Sequence, residues 1–341
     1  MTDLENCSLK CNNSFGIDAR CRRYIEYNSV EELQVVVREI FAKSEPRILH
    51  IGGGNNLLFT QDYDGIILHS AVRGVQIVSS AKDLVLVKAG AAEDWDDFVS
   101  YCVENGWYGL ENLSLIPGEV GASAVQNIGA YGVEACNFIN SIEAVDAQTG
   151  EIRVFSLEEC RYGYRSSIFK HELKGRYYIT AVVFCLSLAF KPDLKYKAIV
   201  GAMQERGLSP EQITPQSLRQ LIIDVRRSKL PDPKEVGNAG SFFINPVVNR
   251  ETFDSLYAVY PQMPHYILPS GDVKIPAGWL IEQSGWKGKS LGKAGVWPLQ
   301  ALVLVNLGGA TGQDIVRLSE AVRQSVKDKF DIEIFPEVNF I

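Results

Sequence analysis

The chain has 341 residues, 46% hydrophobic and 22% charged, the balance of an ordinary globular protein, and its length favours two or three domains over a single core. A formal net charge of −7 argues against a general nucleic-acid binder, while leaving room for a local basic pocket that takes a phosphorylated small molecule. The opening "MTDLENCSLKCNNS" lacks the apolar core of a secretory signal, and the longest apolar runs are too short to cross a bilayer. The seven cysteines are scattered without a C-x-x-C pair and only four histidines accompany them, so neither a disulfide framework nor a metal site is expected, and the expected compartment is the cytoplasm.

In "SVEELQVVVREIFAKSEP", Ser29 and Glu32 have capping-box spacing, and Leu33, Val36, Val37 and Ile40 follow at helical spacing. "RILHI" (Arg47 to Ile51) predicts a strand that ends in the glycine turn "GGGNN". Short strands follow in "GIILH", "VQIVS" and "LVLVKAG", the last leading into a helix from about Asp94 to Asn105. "NSIEAVDAQTGEIRVFS" predicts a hairpin, and "YYITAVVFCLSLAF" a central strand. "TPQSLRQLIIDVRRSKLPDP" predicts a helix stopped by Pro231 and Pro233, which mark a boundary. "AGWLIEQSGW", "ALVLVNL", "TGQDIVRLSEAVRQSVKDKF" and "IEIFPEVNFI" then alternate helix and strand. The class is α+β with at least two sheets, and the first twenty residues read as an extended or disordered lead-in.

Three familiar motifs fail. Gly52-Gly53-Gly54 begins like a dinucleotide fingerprint, but Leu57 stands where the last glycine belongs. "GWKGKS" ends like a P-loop, but Gln283 replaces its first glycine, and "GASAV" lacks the second glycine of a nucleophile elbow. "IPGEVGASAVQNIGAYG" (Ile116 to Gly132) reads either as a mobile loop or as a glycine-rich wall whose amides approach an anion; its Ile116, Val120, Val125 and Ile128 want burial and favour the wall. Arg165 in "YGYRSSIFK" is either a surface residue or a bidentate clamp for a carboxylate. Arg226, Arg227 and Lys229 stand at a helix end, where the dipole favours cations in any case. Ser241 in "GNAGSFFINP" has no histidine nearby in sequence to act as its base.

Taken in order, "GGGNNLLF", "IPGEVGASAVQNIGAYG", "YRSSIFK", "RRSKLPDP", "GNAGSFFINP", "AGWLIEQSGWKGKSLGKAGV", "QALVLVN" and "FPEVNFI" resemble the UDP-N-acetylenolpyruvoylglucosamine reductase family of peptidoglycan synthesis, from about Arg22 to Ile341. The resemblance implies an FAD-binding module of the vanillyl-alcohol-oxidase type, with two α+β subdomains, plus a C-terminal α/β substrate-binding domain. The implied boundaries are 1–70 with 330–341, 71–230 and 231–329. FAD would be held without a covalent link, and NADPH and UDP-N-acetylglucosamine enolpyruvate would react with it in turn. Gly52, Gly53, Asn55, Asn56 and Leu57 would contact the cofactor's phosphates. Ile116, Pro117, Gly118, Gly121, Ala122, Ser123, Asn127, Gly129 and Ala130 would continue that wall, and Ile179 would touch the flavin.

The resemblance also implies roles. Arg165 would stabilise charge developing beside the substrate carboxylate. Glu337 would share that task as a protonated acid among the apolar neighbours Phe335, Val338 and Phe340, and Ser241 would protonate carbon. Tyr164, Tyr196, Lys229, Asn245 and Gln300 would grip the substrate or the nicotinamide nucleotide, with Tyr196 pointing to the type I form. Two positions depart from the family pattern: Ser166 replaces a common aspartate, which bears on how Arg165 is oriented, and Ala124 replaces a common proline, which would loosen a flavin loop. A cytoplasmic monomer acting on small molecules, with no nucleic-acid or membrane partner, is the expected setting. The alternatives are an oxidase or dehydrogenase of the same flavin fold acting on another substrate, and a sugar-nucleotide sensor without catalysis.

Overall fold

The apolar run near the middle of the chain forms the strand Tyr177–Ser187, buried continuously from Tyr178 to Phe184. Burial on both faces removes the need for polar alternation, which is why this strand reads as an unbroken hydrophobic stretch. It is the centre of a five-stranded antiparallel sheet, in the order Ile152–Ser156, Ile139–Asp146, Tyr177–Ser187, Leu84–Gly90, Val75–Ser80. The hairpin expected around "AQTGE" is therefore present, with Val145 opposite Ile152.

The structure, a computed structural model, describes residues 1–42 and 47–341. The helix that begins after Ser29 covers Val30–Ala42, and residues 43–46 at the end of the stretch expected to be helical lie outside the described residues. Ser29 Oγ accepts from the Glu32 amide at 3.2 Å, while the Glu32 carboxylate accepts from the Asn28 amide at 2.7 Å, one residue beyond a regular capping box.

Contacts divide the chain into two units, each drawn from separate stretches: Met1–Cys7, Cys21–Gly53 and Asp64–Arg226 form the first, and Ser8–Arg20, Gly54–Tyr63 and Arg227–Ile341 form the second. In the first unit, a four-stranded sheet runs Thr2–Ser8, Arg20–Tyr27, Tyr63–Ser70, Ile48–Ile51, and the helix Val30–Ala42 buries Leu33, Val36, Val37 and Ile40 in the same cluster as Ile25, Ile66 and Leu68 from that sheet. The lead-in is thus ordered: it begins with an edge strand. A second core joins the five-stranded sheet to the helices Trp95–Glu104 and Val120–Gln126, with Asp94 capping the former through the amides of Asp96 and Asp97. Helices Lys197–Glu205 and Pro215–Arg227 share a third, smaller cluster, and the latter ends before Pro231 is reached.

The second unit holds a four-stranded sheet in the order Asn238–Ser241, Val303–Asn306, Ala294–Val296, Ser290–Leu291, and a three-stranded one from Val247–Val248, Val273–Lys274 and Tyr266–Ile267. Helix Gly312–Phe330 starts with a Thr311–Asp314 capping box and buries Ile315, Leu318, Val322 and Val326 along one stripe. In the terminal "IEIFPEVNFI" only Asn339–Phe340 is strand, paired in parallel with Leu57–Leu58.

Candidate active site

In the first unit, Tyr164 and Arg165 form the tip of a tight turn closed by reciprocal Gly163–Ser166 backbone bonds of 3.0 Å. Arg165 has φ of 53°, a left-handed conformation that is strained for a long side chain and that clusters at functional sites. Its guanidinium offsets that strain by binding backbone: Nη2 donates to Gly129 O at 2.7 Å and Nη1 to Asn127 O at 3.4 Å. A Cβ on Gly129 would fall 3.1 Å from Arg165 Nη1 and 3.0 Å from Val133 O, so the arginine lies where only a glycine leaves room. Ser166 instead meets His171, Oγ to Nε2 at 3.0 Å. Carbonyls thus hold the Arg165 guanidinium in the absence of the family's aspartate.

Around this arginine, Tyr131 (φ 51°) packs edge-on to Tyr196 at 5.4 Å, and Tyr164 lies 5.6 Å from the Arg165 guanidinium carbon. Arg226, read from sequence as one more helix-end cation, turns inward and donates from Nε to Leu115 O at 3.1 Å. Burial lowers its pKa while Tyr131 and Asp96 raise it, and the charge of Arg165 lowers it further. Arg226, which the sequence offers only as one of the Arg226–Arg227 pair, and Tyr131 thus lie beside the candidate Arg165.

Within the glycine-rich stretch Val120–Gln126 is α-helical, with Ala124 fully buried, so alanine there joins the core instead of loosening a loop. Two of its polar side chains serve the fold. Ser123 Oγ donates to Val120 O at 2.7 Å, and buried Asn127 gives its amide to Glu134 Oε2 and Gly163 O and accepts from the Cys136 amide. Ile116, Pro117, Gly118, Gly121, Ala122, Gly129 and Ala130 therefore present mainly backbone and small apolar surface. Gly121 adjoins Ala91, and a Cβ on Gly52 would fall 3.3 Å from Ala122 Cβ, so the Gly52–Gly53 turn abuts this helix within one unit. Glycine segments of this kind suit a phosphate-bearing cofactor such as FAD. Ile179 is 3% exposed in the core beneath.

The second unit carries the other candidates. Ser241 ends its strand opposite Val303, its side chain exposed, while Phe242 and Phe243 behind it are 0% and 1% exposed with rings 5.0 Å apart. The chain just after Ser241 pairs with the C-terminal segment: Glu337 N donates to Phe242 O at 2.8 Å and Ile244 N to Phe335 O at 2.9 Å. Ser241 and Glu337 are thus brought onto adjacent strands of backbone. The apolar shell expected around Glu337 is only partial, because Phe335 and Phe340 are 55% and 40% exposed and Val338 alone is buried.

Lys229 is exposed, its carbonyl taking the Trp297 indole N–H at 3.0 Å, and Trp297 N donates to Val303 O, opposite Ser241. Asn245 Oδ1 caps helix Ala277–Gln283 through the Ala277 amide at 2.9 Å, and Gln300 Oε1 lies 3.1 Å from the Cβ position of Gly278 in the same turn. Asn56 Nδ2 donates to Glu337 O at 3.2 Å, Leu57 pairs with Asn339, and Asn55 is half-buried beside them.

Residues 22–156 match the FAD binding domain model, and residues 232–341 match the model for the UDP-N-acetylenolpyruvoylglucosamine reductase C-terminal domain. A UDP-N-acetylenolpyruvoylglucosamine reductase of Bacteroides fragilis is 52% identical, covering 98% of both chains. One of Porphyromonas gingivalis is 49% identical, covering 98% of this chain and 97% of its own. The crystal structure of the reductase from Thermus caldophilus superposes with a TM-score of 0.66 at 20% identity, over 99% of this chain and 98% of its own, which establishes the shared fold. Near half of its residues are common to full-length relatives of one name, and both domain models fall in the expected order, so the chain belongs to the UDP-N-acetylenolpyruvoylglucosamine reductase family.

Proposed function

We propose that Arg165, Ser241 and Glu337 carry the chemistry of the family reaction, the NADPH-dependent reduction of UDP-N-acetylglucosamine enolpyruvate to UDP-N-acetylmuramate in peptidoglycan precursor synthesis. FAD, when bound, would supply the hydride chemistry that links NADPH to the vinyl carbon of the enolpyruvyl group. The protein has two tasks: to hold the carboxylate-bearing fragment while negative charge builds on it, and to deliver a proton to the neighbouring carbon.

Arg165 suits the first task, since a guanidinium already fixed by two carbonyls loses little freedom when it meets a carboxylate. Glu337 shares it. Ser241, exposed on a rigid strand end and without a histidine in its segment, acts as the proton donor instead of as a nucleophile. Lys229, Asn245 and Gln300 hold the nucleotide end, and Tyr164 and Tyr196 flank the substrate from the arginine's unit. FAD would rest on Gly52, Gly53, Asn55, Asn56 and Leu57, on Ile116, Pro117, Gly118, Gly121, Ala122, Ser123, Asn127, Gly129 and Ala130, and on Ile179.

The observation that carries this assignment is the left-handed Arg165, its guanidinium held over Gly129 at the tip of a tight turn. The test is direct. The purified protein is expected to be yellow, to bleach with NADPH, and to recover its colour with UDP-N-acetylglucosamine enolpyruvate while UDP-N-acetylmuramate forms. A colourless protein, or one that stays bleached with the enolpyruvate, overturns the reading. We also infer a monomer of the cytoplasm, with no nucleic-acid or membrane partner; the net charge of −7 and the seven cysteines, all free, support that setting.

A further inference from the structure

Strand Tyr63–Ser70 presents His69 to carboxylates from two other elements. His69 Nδ1 lies 2.9 Å from Glu26 Oε2 on strand Arg20–Tyr27, and Nε2 lies 3.3 Å from Glu119 Oε1, just before helix Val120–Gln126. Ionised carboxylates only accept, and a neutral imidazole has one N–H, so the two bonds coexist on the imidazolium. The side chains of His69, Glu26 and Glu119 are 17%, 33% and 15% exposed, sheltered enough for their charges to matter. The other oxygen of Glu119 is 2.9 Å from the Cβ position of Gly52, so the carboxylate held by His69 packs against the glycine turn after strand Ile48–Ile51.

Every element around the imidazole contributes a titratable group. Tyr24 packs its ring 6.1 Å away and places its hydroxyl 3.3 Å from Glu26 Oε2. His50, from the strand leading to the turn, is kept neutral because burial pushes its pKa down to about 3, and it shares a 2.6 Å hydrogen bond with the hydroxyl of Tyr27, whose own pKa burial raises. His69 is therefore the cation among these groups.

We propose that His69 is a positioning residue for the flavin: as imidazolium it ties Glu119 to Glu26, fixes the Ile116–Gly121 segment against the Gly52 turn, and offsets one of the two carboxylate charges beside it. The proposal rests on the reading that Gly52, Gly53, Ile116, Pro117, Gly118, Gly121 and Ala122, on either side of Glu119, hold FAD. Burial alone would lower the His69 pKa, but hydrogen bonds and charge from Glu119 and Glu26 raise it overall. The tie is complete below the ordinary value of 6.5 and is lost as pH rises through the raised one. The longer bond, to Glu119, is then released, and its carboxylate stands unneutralised where an anionic diphosphate must sit.

The Kd for FAD, measured by flavin fluorescence on apoprotein across about pH 6 to 9, tests this, with the melting temperature of each apoprotein taken in parallel. In the unsubstituted protein Kd is expected to rise about tenfold across that range, the weight of one charge-assisted hydrogen bond. His69→Gln is expected to bind weakly and without this pH dependence, and Glu119→Gln to bind tightly and without it. A Glu119→Gln protein that keeps the pH dependence overturns the proposal, even if His69→Gln does not fold. So does a His69→Gln protein with lowered melting temperature and unchanged Kd, the signature of a merely structural tie. Failure of the unsubstituted protein to bind FAD at any pH is a different result: it overturns the flavin assignment itself, and this proposal with it.

Discussion

Ser241 illustrates how little a single residue discloses alone. Its hydroxyl is exposed at a strand end, and nothing in its ten-residue segment marks it as an acid. The family motif gives it a role, and the fold makes that role testable, because Phe242 and Phe243 behind it anchor the backbone independently of the hydroxyl. Ser241→Ala is therefore expected to leave bleaching by NADPH almost unchanged. Recovery of colour with the enolpyruvate substrate should slow by at least the ~10²–10⁴-fold usual for one acid–base group. Stopped-flow absorbance measures both steps on the same sample, and equal losses in the two would reduce Ser241 to a structural residue. Arg226, Tyr131 and His69 show the converse. Arg226 is far in sequence from Leu115, and His69 from Glu119, so their roles exist only after folding. The Arg226–Arg227 pair marks a cation in the sequence, but no local pattern announces what Arg226 or His69 meets.

At the scale of elements the sequence was most readable where one apolar pattern dominated, either an unbroken run or a helical stripe. The central strand Tyr177–Ser187 and the helix Gly312–Phe330 fall where their apolar patterns predict. "IPGEVGASAVQ" was less legible: glycine and alanine look like loop material, but here small residues let a short helix pack closely, with Gly121 against Ala91. Histidines in strands gave no sequence signal either. His50, on strand Ile48–Ile51, is half-buried, lies with its ring tilted 4.9 Å from that of Tyr178, and is held near pKa 3 by desolvation, below its ordinary 6.5. A depressed histidine pKa means that the unfolded chain binds the extra proton first. Its contribution is thus complete above about pH 6.5 and is lost as pH falls toward about 3, at no more than ~1.4 kcal/mol per pH unit. His50→Gln, which can still accept from Tyr27, is expected to flatten that limb of stability against pH. Urea midpoints at several pH values would show it, and an unchanged slope would mean that another buried group governs acid unfolding.

At the scale of the whole molecule, a linear reading places residues before about 70 with the N-terminal flavin subdomain. The second unit nevertheless draws Ser8–Arg20 and Gly54–Tyr63 from that region. Composition could not show this, because the stretches are short and their partners lie more than two hundred residues later. Asn238 N donates to Ser14 O, and Asn306 Nδ2 donates to Phe15 O. A Cβ on Gly237 would fall 2.3 Å from Phe15 O, and one on Gly312 would fall 1.9 Å from Phe59 O. Thr60 takes the terminal Ile341 carbonyl through both its amide and its hydroxyl, at 2.9 Å each. Leu9, Phe15, Ile17, Leu58 and Phe59 from these stretches are no more than 4% exposed. Burying such side chains is worth about 1.5–3 kcal/mol each, so together they amount to ~10 kcal/mol, the size of a domain's entire net stability of ~5–15 kcal/mol. A fragment of residues 227–341 contains the whole matched C-terminal domain, 232–341, and still lacks that contribution. It is expected to show no cooperative thermal transition by circular dichroism and little amide dispersion by NMR, whereas a chain that keeps residues 8–20 and 54–63 melts cooperatively. A sharp melt in the isolated fragment would mean that the early stretches only decorate a self-sufficient domain.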